Sequence, residues 1–270
     1  MHCRYCDGVG EPEHYVEEAL RKGLKFIGFS SHAPIPFQND WTMREESVNQ
    51  YLQEISRLKD KYKGDIEIYC GLEIDFFDGD NRNIFSKYNL DYVIGAVHIF
   101  SDYRNNTYYS VDSDDEDFRR TLNEFFHGDI KVFARSYYNQ INNLVKIHKP
   151  HILGHFDVIK KNNKNERYFS EKESWYRELV LNSLNTVKEN GTIIEVNTGG
   201  IIRGYMNEPY PSKWILEECK KKDIPITVNS DAHSPENIDG FFDIAYSMLR
   251  EVGYTEETIL KNGSWENTSF

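Results

Sequence analysis

Short apolar runs alternate with amphipathic stretches along most of the chain. LKFIGFSSH, at residues 24–32, is typical of a buried strand, whereas residues 44–64 repeat apolar positions every three or four residues and predict a helix that ends near Gly64. Five further runs have the composition of buried strands: IEIYCGLEIDFF, YVIGAVHIF, HILGHFDVI, TIIEVNTGG and IPITVNSDAH. The pattern therefore predicts six strands.

Helical patterns separate these strands. They are EPEHYVEEALRKG, a short helix over residues 83–89, DDEDFRRTLNEFFHG, IKVFARSYYNQINNLVKIHKP, SWYRELVLNSLNTVKENG, YPSKWILEECKKKD and a last helix over about residues 235–252. Residues 101–113 and 160–167 are interpreted as polar loops. Strands that alternate with helices predict a mostly parallel sheet with crossover helices. The chain length suits one α/β barrel, so we expect a single domain over residues 1–270.

Composition narrows the possible functions. The formal net charge is −12, which disfavours a partner with a phosphate backbone, so we expect no nucleic-acid binding. The sequence has no run of 18 apolar residues, which argues against a membrane span, and no apolar signal segment, so we expect a cytoplasmic protein. A small anionic substrate remains compatible with this charge if metal ions or a few cations hold it.

Metal-binding residue types recur at the ends of the predicted strands. Five of the six strands are followed by histidines or carboxylates, in chain order His32, Glu73, His98, His155, and Asp231 with His233. The sixth strand is followed by Asn197 and then Arg203. Functional residues of α/β barrels lie at the carboxyl ends of the strands, so these side chains are expected to meet.

Each of these residues has an alternative interpretation when it is taken alone. A single strand-end histidine is more often a satisfied core or surface residue, Glu73 could be half of a buried ion pair, and Asp231 could cap a helix. Their coincidence at one edge favours a shared metal site. Imidazole and carboxylate ligands without clustered thiolates suit Zn, Mn or Fe, and the number of ligands fits two or three divalent ions. Such sites activate water and neutralise phosphoryl oxygens, which predicts phosphoester hydrolysis.

Cys3 and Cys6 form a Cys-x-x-Cys pair that offers a competing interpretation. A structural zinc site would need a second pair, and only the separate Cys70 and Cys219 remain. A redox motif of this type should follow a strand, and none precedes it. We therefore expect Cys6 to be a packed residue in a turn.

Seven motifs in order resemble the polymerase-and-histidinol-phosphatase superfamily, and more narrowly its histidinol-phosphate phosphatase branch. They are HCRYCDG, GFSSHAP, GLEIDF, AVHIF, GHFDVIKK, EVNTGGIIRG with EPYPS, and NSDAH. The resemblance runs from residue 2 to about residue 240. It implies a distorted seven-stranded (β/α) TIM-like barrel that holds up to three metal ions.

The resemblance also implies roles for individual residues. His2 matches the second histidine of an opening His-x-His motif, and Asp7 lies near the position of another ligand. Glu73 matches the metal-bridging carboxylate, and the resemblance assigns catalytic roles to the metal ligands Glu73, His98 and Asp231. The remaining ligands matched to later motifs are His32, His155 and His233. Ser31 departs from the family, which usually has aspartate there.

The first histidine of the His-x-His motif is absent, because Met1 holds the intervening position. Every other ligand group follows a strand, yet no strand precedes His2. We therefore expect the natural chain to extend upstream by about five to ten residues, roughly one strand, ending in histidine.

The resemblance implies an enzyme of histidine biosynthesis that hydrolyses L-histidinol phosphate to L-histidinol and phosphate. Arg203, with Lys160 or Lys161, is expected to hold the phosphate of this small substrate, while Tyr210 and Arg44 are weaker candidates for lining the pocket. One alternative is a phosphoesterase that acts on another small phosphomonoester or a nucleotide. The other is a metal-depleted, non-catalytic relative.

Overall fold

Residues 1–77, 87–102 and 104–270 are described by this computed structural model and contain ten strands. They are β1 Phe26–Phe29, β2 Glu67–Asp75, β3 Tyr92–Ala96, β4 Ile99–Asp102, β5 Thr107–Ser110, β6 Ile152–Leu153, β7 Ile193–Asn197, β8 Ile226–Asn229, β9 Glu256–Lys261 and β10 Ser264–Ser269. Six of them form one parallel sheet in the order β1-β2-β3-β6-β7-β8. This sheet curls into an open half-barrel, and the predicted α/β barrel-like fold is confirmed.

Eight α-helices lie among the described residues. They are α1 Pro12–Arg21, α2 Val48–Lys61, α3 Asp115–Arg120, α4 Ile130–His148, α5 Ser174–Asn190, α6 Gly199–Ile202, α7 Lys213–Lys221 and α8 Phe242–Val252. The longest, α4, begins where the Asp129 carboxylate accepts the backbone N–H groups of Lys131 and Val132. It ends at His148, and the next residue, Lys149, is left-handed and precedes Pro150. None of the described helices is long and apolar enough to cross a membrane.

The sheet is packed closely where β1, β2 and β3 meet. Tyr92 passes beside Gly28 and Gly71, and its hydroxyl donates to the carbonyl of Phe29 at 2.9 Å. A Cβ atom on Gly71 would lie 2.8 Å from the backbone oxygen of Tyr92 and 2.7 Å from its ring, so only glycine fits there. This packing fixes the register of three neighbouring strands.

The N-terminal segment lies between the two outer strands of the sheet, β1 and β8. The carbonyl of Met1 accepts the backbone N–H of Ser30 at 2.9 Å, and the backbone N–H of His2 donates to the carbonyl of Ala232 at 2.8 Å. Among the described residues, no strand occupies this space. His2 is thereby held at the same end of the sheet as the residues that follow the parallel strands.

Three regions differ from the predicted pattern. The run YVIGAVHIF is not one strand, because β3 ends at Ala96 and β4 then pairs with β5 in a hairpin that occupies most of the predicted loop over residues 101–113. In HILGHFDVI, only Ile152 and Leu153 form a strand. A C-terminal hairpin, β9–β10, was not predicted. The predicted helix over residues 83–89 falls largely outside the described residues.

Candidate metal centre

Eight predicted ligands lie together at the carboxyl end of the parallel sheet. They are His2, Asp7, His32, Glu73, His98, His155, Asp231 and His233. Most of these side chains are buried, while Asp7 is exposed and Asp231 and His233 are half-buried. The structure therefore brings the whole predicted set into one cluster, whereas the roles of its members as ligands remain predictions.

Backbone hydrogen bonds just beyond the strand ends anchor three histidines. His32 continues the pairing of β1 with β2, because Ala33 donates its backbone N–H to the carbonyl of Glu73 at 2.8 Å. His98 lies two residues beyond the end of β3, and its backbone N–H donates to the carboxylate of Asp75 at 3.2 Å. The backbone N–H of His155 donates to the buried carboxylate of Glu195 at 2.9 Å. Each imidazole thus starts from an anchored backbone.

The carboxylate of Glu73 lies between histidines from different parts of the chain. Its Oε2 atom is 3.1 Å from Nε2 of His2, and its Oε1 atom is 3.5 Å and 3.3 Å from the Nε2 atoms of His98 and His155. Oε1 is buried and accepts no hydrogen bond from the described residues. The two oxygens therefore face different histidines, His2 on one side and His98 with His155 on the other, as a bridging carboxylate requires.

A second group of donors surrounds Asp7. Its Oδ1 atom lies 3.4 Å from Nε2 of His233, 3.9 Å from Nδ1 of His2 and 4.0 Å from Nε2 of His32. The rings of His2 and His233 stack with centroids 4.3 Å apart. Asp231 joins the two groups, because its Oδ1 atom is 3.2 Å from Nε2 of His2.

The electrostatics of the cluster favour ionised carboxylates beside the imidazoles. Burial is the largest influence on Glu73 and opposes its ionisation, but His32, His155 and His2 outweigh it and hold the pKa of Glu73 well below its usual value. Burial likewise opposes ionisation of Asp231, whose pKa is nevertheless lowered by Arg203 and His2. The cluster therefore offers several anionic oxygens in a largely dehydrated space.

These residues fit divalent metal ions. The Nε2 atoms of His98 and His155 are only 3.0 Å apart, so the two nitrogens cannot both carry protons there, and at least one presents a lone pair. Imidazole nitrogens combined with carboxylate oxygens suit Zn, Mn or Fe. Four groups of three or more closely spaced donors share members, which fits neighbouring ions bridged by carboxylates.

The cluster opens into a cavity of about 640 Å³. Arg203, Lys161 and Tyr210, three residues predicted to bind substrate, line its wall, together with Trp41 and Asp112. The Tyr210 hydroxyl is buried and makes no hydrogen bond with the described residues. Arg44 instead borders a separate depression formed by residues 34–46.

Arg203 lies where the cavity meets the cluster. It follows β7 and the short helix α6, and its side chain is 35% exposed. One terminal nitrogen contacts Oδ2 of Asp231 at 2.9 Å, and the other lies 3.2 Å from Nδ1 of His233. Asp231 raises the pKa of Arg203 although burial, the largest influence, lowers it. The guanidinium is thus a cation held beside the candidate metal centre.

Lys160 and Lys161 have different environments. Lys160 is buried and does not line the cavity: its ammonium group contacts Ser212, lies 3.0 Å from the buried Asp157 and 3.2 Å from Glu208. The Lys161 ammonium lies in the cavity wall near Asp112. Of the two lysines proposed for the phosphate, only Lys161 is therefore placed to reach a ligand in the cavity.

Replacement of Lys160 by alanine is expected to lower the free energy of unfolding by about 3–5 kcal/mol, because it leaves the charge of Asp157 buried and unpaired. Urea denaturation would measure this loss. The matched variant, Lys161→Ala, removes a half-buried lysine and is expected to change stability much less. Equal stability of the Lys160→Ala and Lys161→Ala variants would contradict a stabilising role for the buried ion pair of Lys160 with Asp157.

The sequence interpretation missed three residues that contact the predicted ligands. Asp75 accepts a hydrogen bond from His98, Glu195 accepts one from the backbone of His155, and the Cys6 sulfur lies 3.6 Å from Nδ1 of His2. The two-residue spacing of Glu73 and Asp75 on β2 could have indicated Asp75, because alternate strand residues share a face.

The four cysteines are free, and Cys6 occupies a turn beside His2.

Comparisons with known proteins identify the family of this chain. The family model described as "PHP domain" matches residues 1–199. The histidinol-phosphatase of Bacillus subtilis is 32% identical over 263 residues, covering 92% of this chain and 91% of that protein. A protein named "Probable histidinol-phosphatase" from Deinococcus radiodurans is 27% identical, covering 94% of this chain and 92% of that protein.

A solved structure has the same fold. The histidinol phosphate phosphatase of Lactococcus lactis, crystallised with Zn, L-histidinol and phosphate, superposes with a TM-score of 0.73 at 21% identity, covering 98% of this chain and 97% of that one. The match to the family model spans most of the chain, and the Bacillus relative is similar over nearly its whole length. This chain belongs to the PHP domain family.

Proposed function

We propose that this protein is a metal-dependent phosphomonoesterase that hydrolyses L-histidinol phosphate to L-histidinol and phosphate. The observation that carries the proposal is the placement of Glu73, whose two oxygens face different histidines, in a cavity that the cationic Arg203 also lines. The similarity to histidinol-phosphatases over nearly the full chain supports the same substrate.

The residues of the cluster would hold two or three divalent ions. Glu73 would face both groups of donors, with His98 and His155 on one side and His2 on the other. Divalent ions at such a site supply a nucleophile from water at neutral pH and neutralise charge on phosphoryl oxygens. The partly dehydrated surroundings strengthen each of these interactions.

The cavity wall would bind and orient the phosphomonoester. The planar guanidinium of Arg203 offers paired N–H donors to phosphoryl oxygens, and its contact with Asp231 keeps it beside the metal centre. The Lys161 ammonium adds a second cation, and the Tyr210 hydroxyl, which makes no hydrogen bond with the described residues, can donate to a bound oxygen. The volume of about 640 Å³ leaves room for an organic group beyond the phosphate.

A substrate panel tests the proposal against the alternative phosphoesterase. The zinc-loaded protein is assayed for kcat/KM with L-histidinol phosphate, ethanolamine phosphate, a sugar phosphate and a nucleoside monophosphate, and Lys161→Ala serves as the binding-site variant. We expect L-histidinol phosphate to exceed every other compound by at least about tenfold, a difference of about 1.4 kcal/mol in transition-state binding. A higher kcat/KM for another compound would mean that this compound, rather than L-histidinol phosphate, is the preferred substrate. Failure to hydrolyse any of them would favour a non-catalytic relative.

A further inference from the structure

Asp75 lies directly behind the proposed metal ligand His98, on the side away from Glu73. We propose that Asp75 is a positioning residue that holds the Nδ1–H group of His98 and thereby directs the opposite nitrogen, Nε2, to a divalent metal ion beside Glu73. This inference rests on the metal centre of the proposed function but not on the identity of the substrate.

Two hydrogen bonds join Asp75 to His98. The Oδ1 atom of Asp75 lies 2.7 Å from Nδ1 of the imidazole and 3.2 Å from the backbone nitrogen of the same residue. Asp75 is 1% exposed. A carboxylate can only accept hydrogen bonds, so Nδ1 must carry the proton, and a neutral His98 then has its lone pair on Nε2.

The register of β2 and β3 places this carboxylate. Glu73 and Asp75 are two residues apart on β2 and therefore share one face of the sheet. Asp75 pairs with Ala96, and Phe76 donates its backbone N–H to the carbonyl of Ala96 at 3.0 Å. Since β3 ends at Ala96, His98 follows only two residues later and lies beside Asp75. A single strand thus supplies both the proposed bridging ligand and the partner of the next ligand.

The opposite side of the ring faces the shared donor space. Nε2 of His98 is 3.5 Å from Oε1 of Glu73 and 3.0 Å from Nε2 of His155. By contrast, the Nδ1 atoms of His32 and His155 are buried without a hydrogen bond to the described residues. Among His32, His98 and His155, only His98 has an Nδ1 atom that forms a hydrogen bond with a carboxylate of the described residues. Outer partners of this kind typically change metal affinity by about 10- to 100-fold.

The test compares zinc affinity in two carboxylate variants by competition with a chromophoric chelator. Asp75→Asn keeps the size of the side chain and removes its charge, and we expect zinc to bind about 10- to 100-fold more weakly. Glu257→Gln is the control, because Glu257 is also a buried carboxylate that accepts a backbone N–H, from Val228, but it lies outside the cluster. Unchanged zinc affinity in folded Asp75→Asn protein would overturn the inference.

A measurement on the unmutated protein covers the case in which Asp75→Asn does not fold. In the zinc-loaded protein, ¹H–¹⁵N correlation of the His98 ring, assigned with the variant His98→Gln, should show Nδ1 protonated and Nε2 bound to the metal. The reverse tautomer would refute the role of Asp75. If the unmutated protein binds no metal at all, the proposed function itself fails. Normal zinc binding with the wrong tautomer removes only the inference about Asp75.

Discussion

Replacement of Glu73 by glutamine is expected to remove bound metal and phosphatase activity while the fold is retained. The substitution keeps the side-chain size but removes the negative charge from the atoms that face His2, His98 and His155. Loss of a single group that stabilises developing charge typically lowers kcat by about 10²- to 10³-fold, and loss of a metal-bridging ligand should cost at least as much. Metal content by atomic emission and phosphate release by a colorimetric assay provide the two measurements.

Glu67→Gln is the matched control for this substitution. Glu67 begins the same strand, β2, and contacts Tyr69 and the backbone of Asn262, away from the metal cluster. We expect this variant to keep its metal and its activity. If Glu73→Gln retains full metal content and full activity, Glu73 does not belong to the site.

Arg203→Ala is expected to raise KM for a phosphomonoester by roughly ten- to a hundredfold with little change in metal content. A charge-assisted hydrogen bond contributes about 1.5–3 kcal/mol, and the loss should fall on substrate binding because Arg203 lines the cavity. Arg203→Lys keeps the charge but loses the paired donors, so an intermediate KM is expected. Steady-state kinetics on zinc-loaded protein gives these values.

Arg57→Ala is a suitable control for Arg203. Arg57 is an exposed arginine of α2 that forms an ion pair with Glu13 of α1 at 2.9 Å, and neither residue lines the cavity. Its removal should leave KM unchanged. An equally unchanged KM for Arg203→Ala would make Arg203 a surface residue rather than a phosphate contact.

The central sheet and its ligand edge could be predicted from the sequence because both depend on burial. Strands that are buried on both faces appear as continuous apolar runs, and in a parallel sheet the residue after each run must lie at the same edge. His32, His98 and His155 were therefore recognised by position alone. The N-terminal ligands His2 and Asp7 do not follow a strand, so only the family resemblance indicated them.

The C-terminal hairpin was missed although its turn carries a usable signal. Asn262 and Gly263 both have positive φ angles, of 49° and 74°, as an Asn-Gly hairpin turn requires. The flanking strands are largely polar or half-buried, so the apolar pattern did not show them. Turn chemistry was thus more informative here than hydrophobic periodicity.

The different placement of Lys160 and Lys161 could not be predicted from the sequence. Both follow the two-residue strand β6 through a 3₁₀ turn over Val158–Lys160, and a change of one residue in such a turn redirects the side chain. The turn directs the first lysine to Asp157 and the second to the cavity. That distinction depends on tertiary contacts with residues about fifty positions away in the chain, Ser212 and Asp112.

The most direct test of metal-dependent phosphomonoester hydrolysis is a titration of activity against bound metal. Protein stripped with a chelator is titrated with Zn²⁺, and phosphate release from L-histidinol phosphate is measured at each ratio of metal to protein, with parallel titrations in Mn²⁺ and Fe²⁺. We expect no activity in the stripped protein and a rise to a plateau at two or three equivalents of at least one of these ions. Full activity in protein that contains no metal, or no phosphate release when the site is saturated with each ion, would contradict the account.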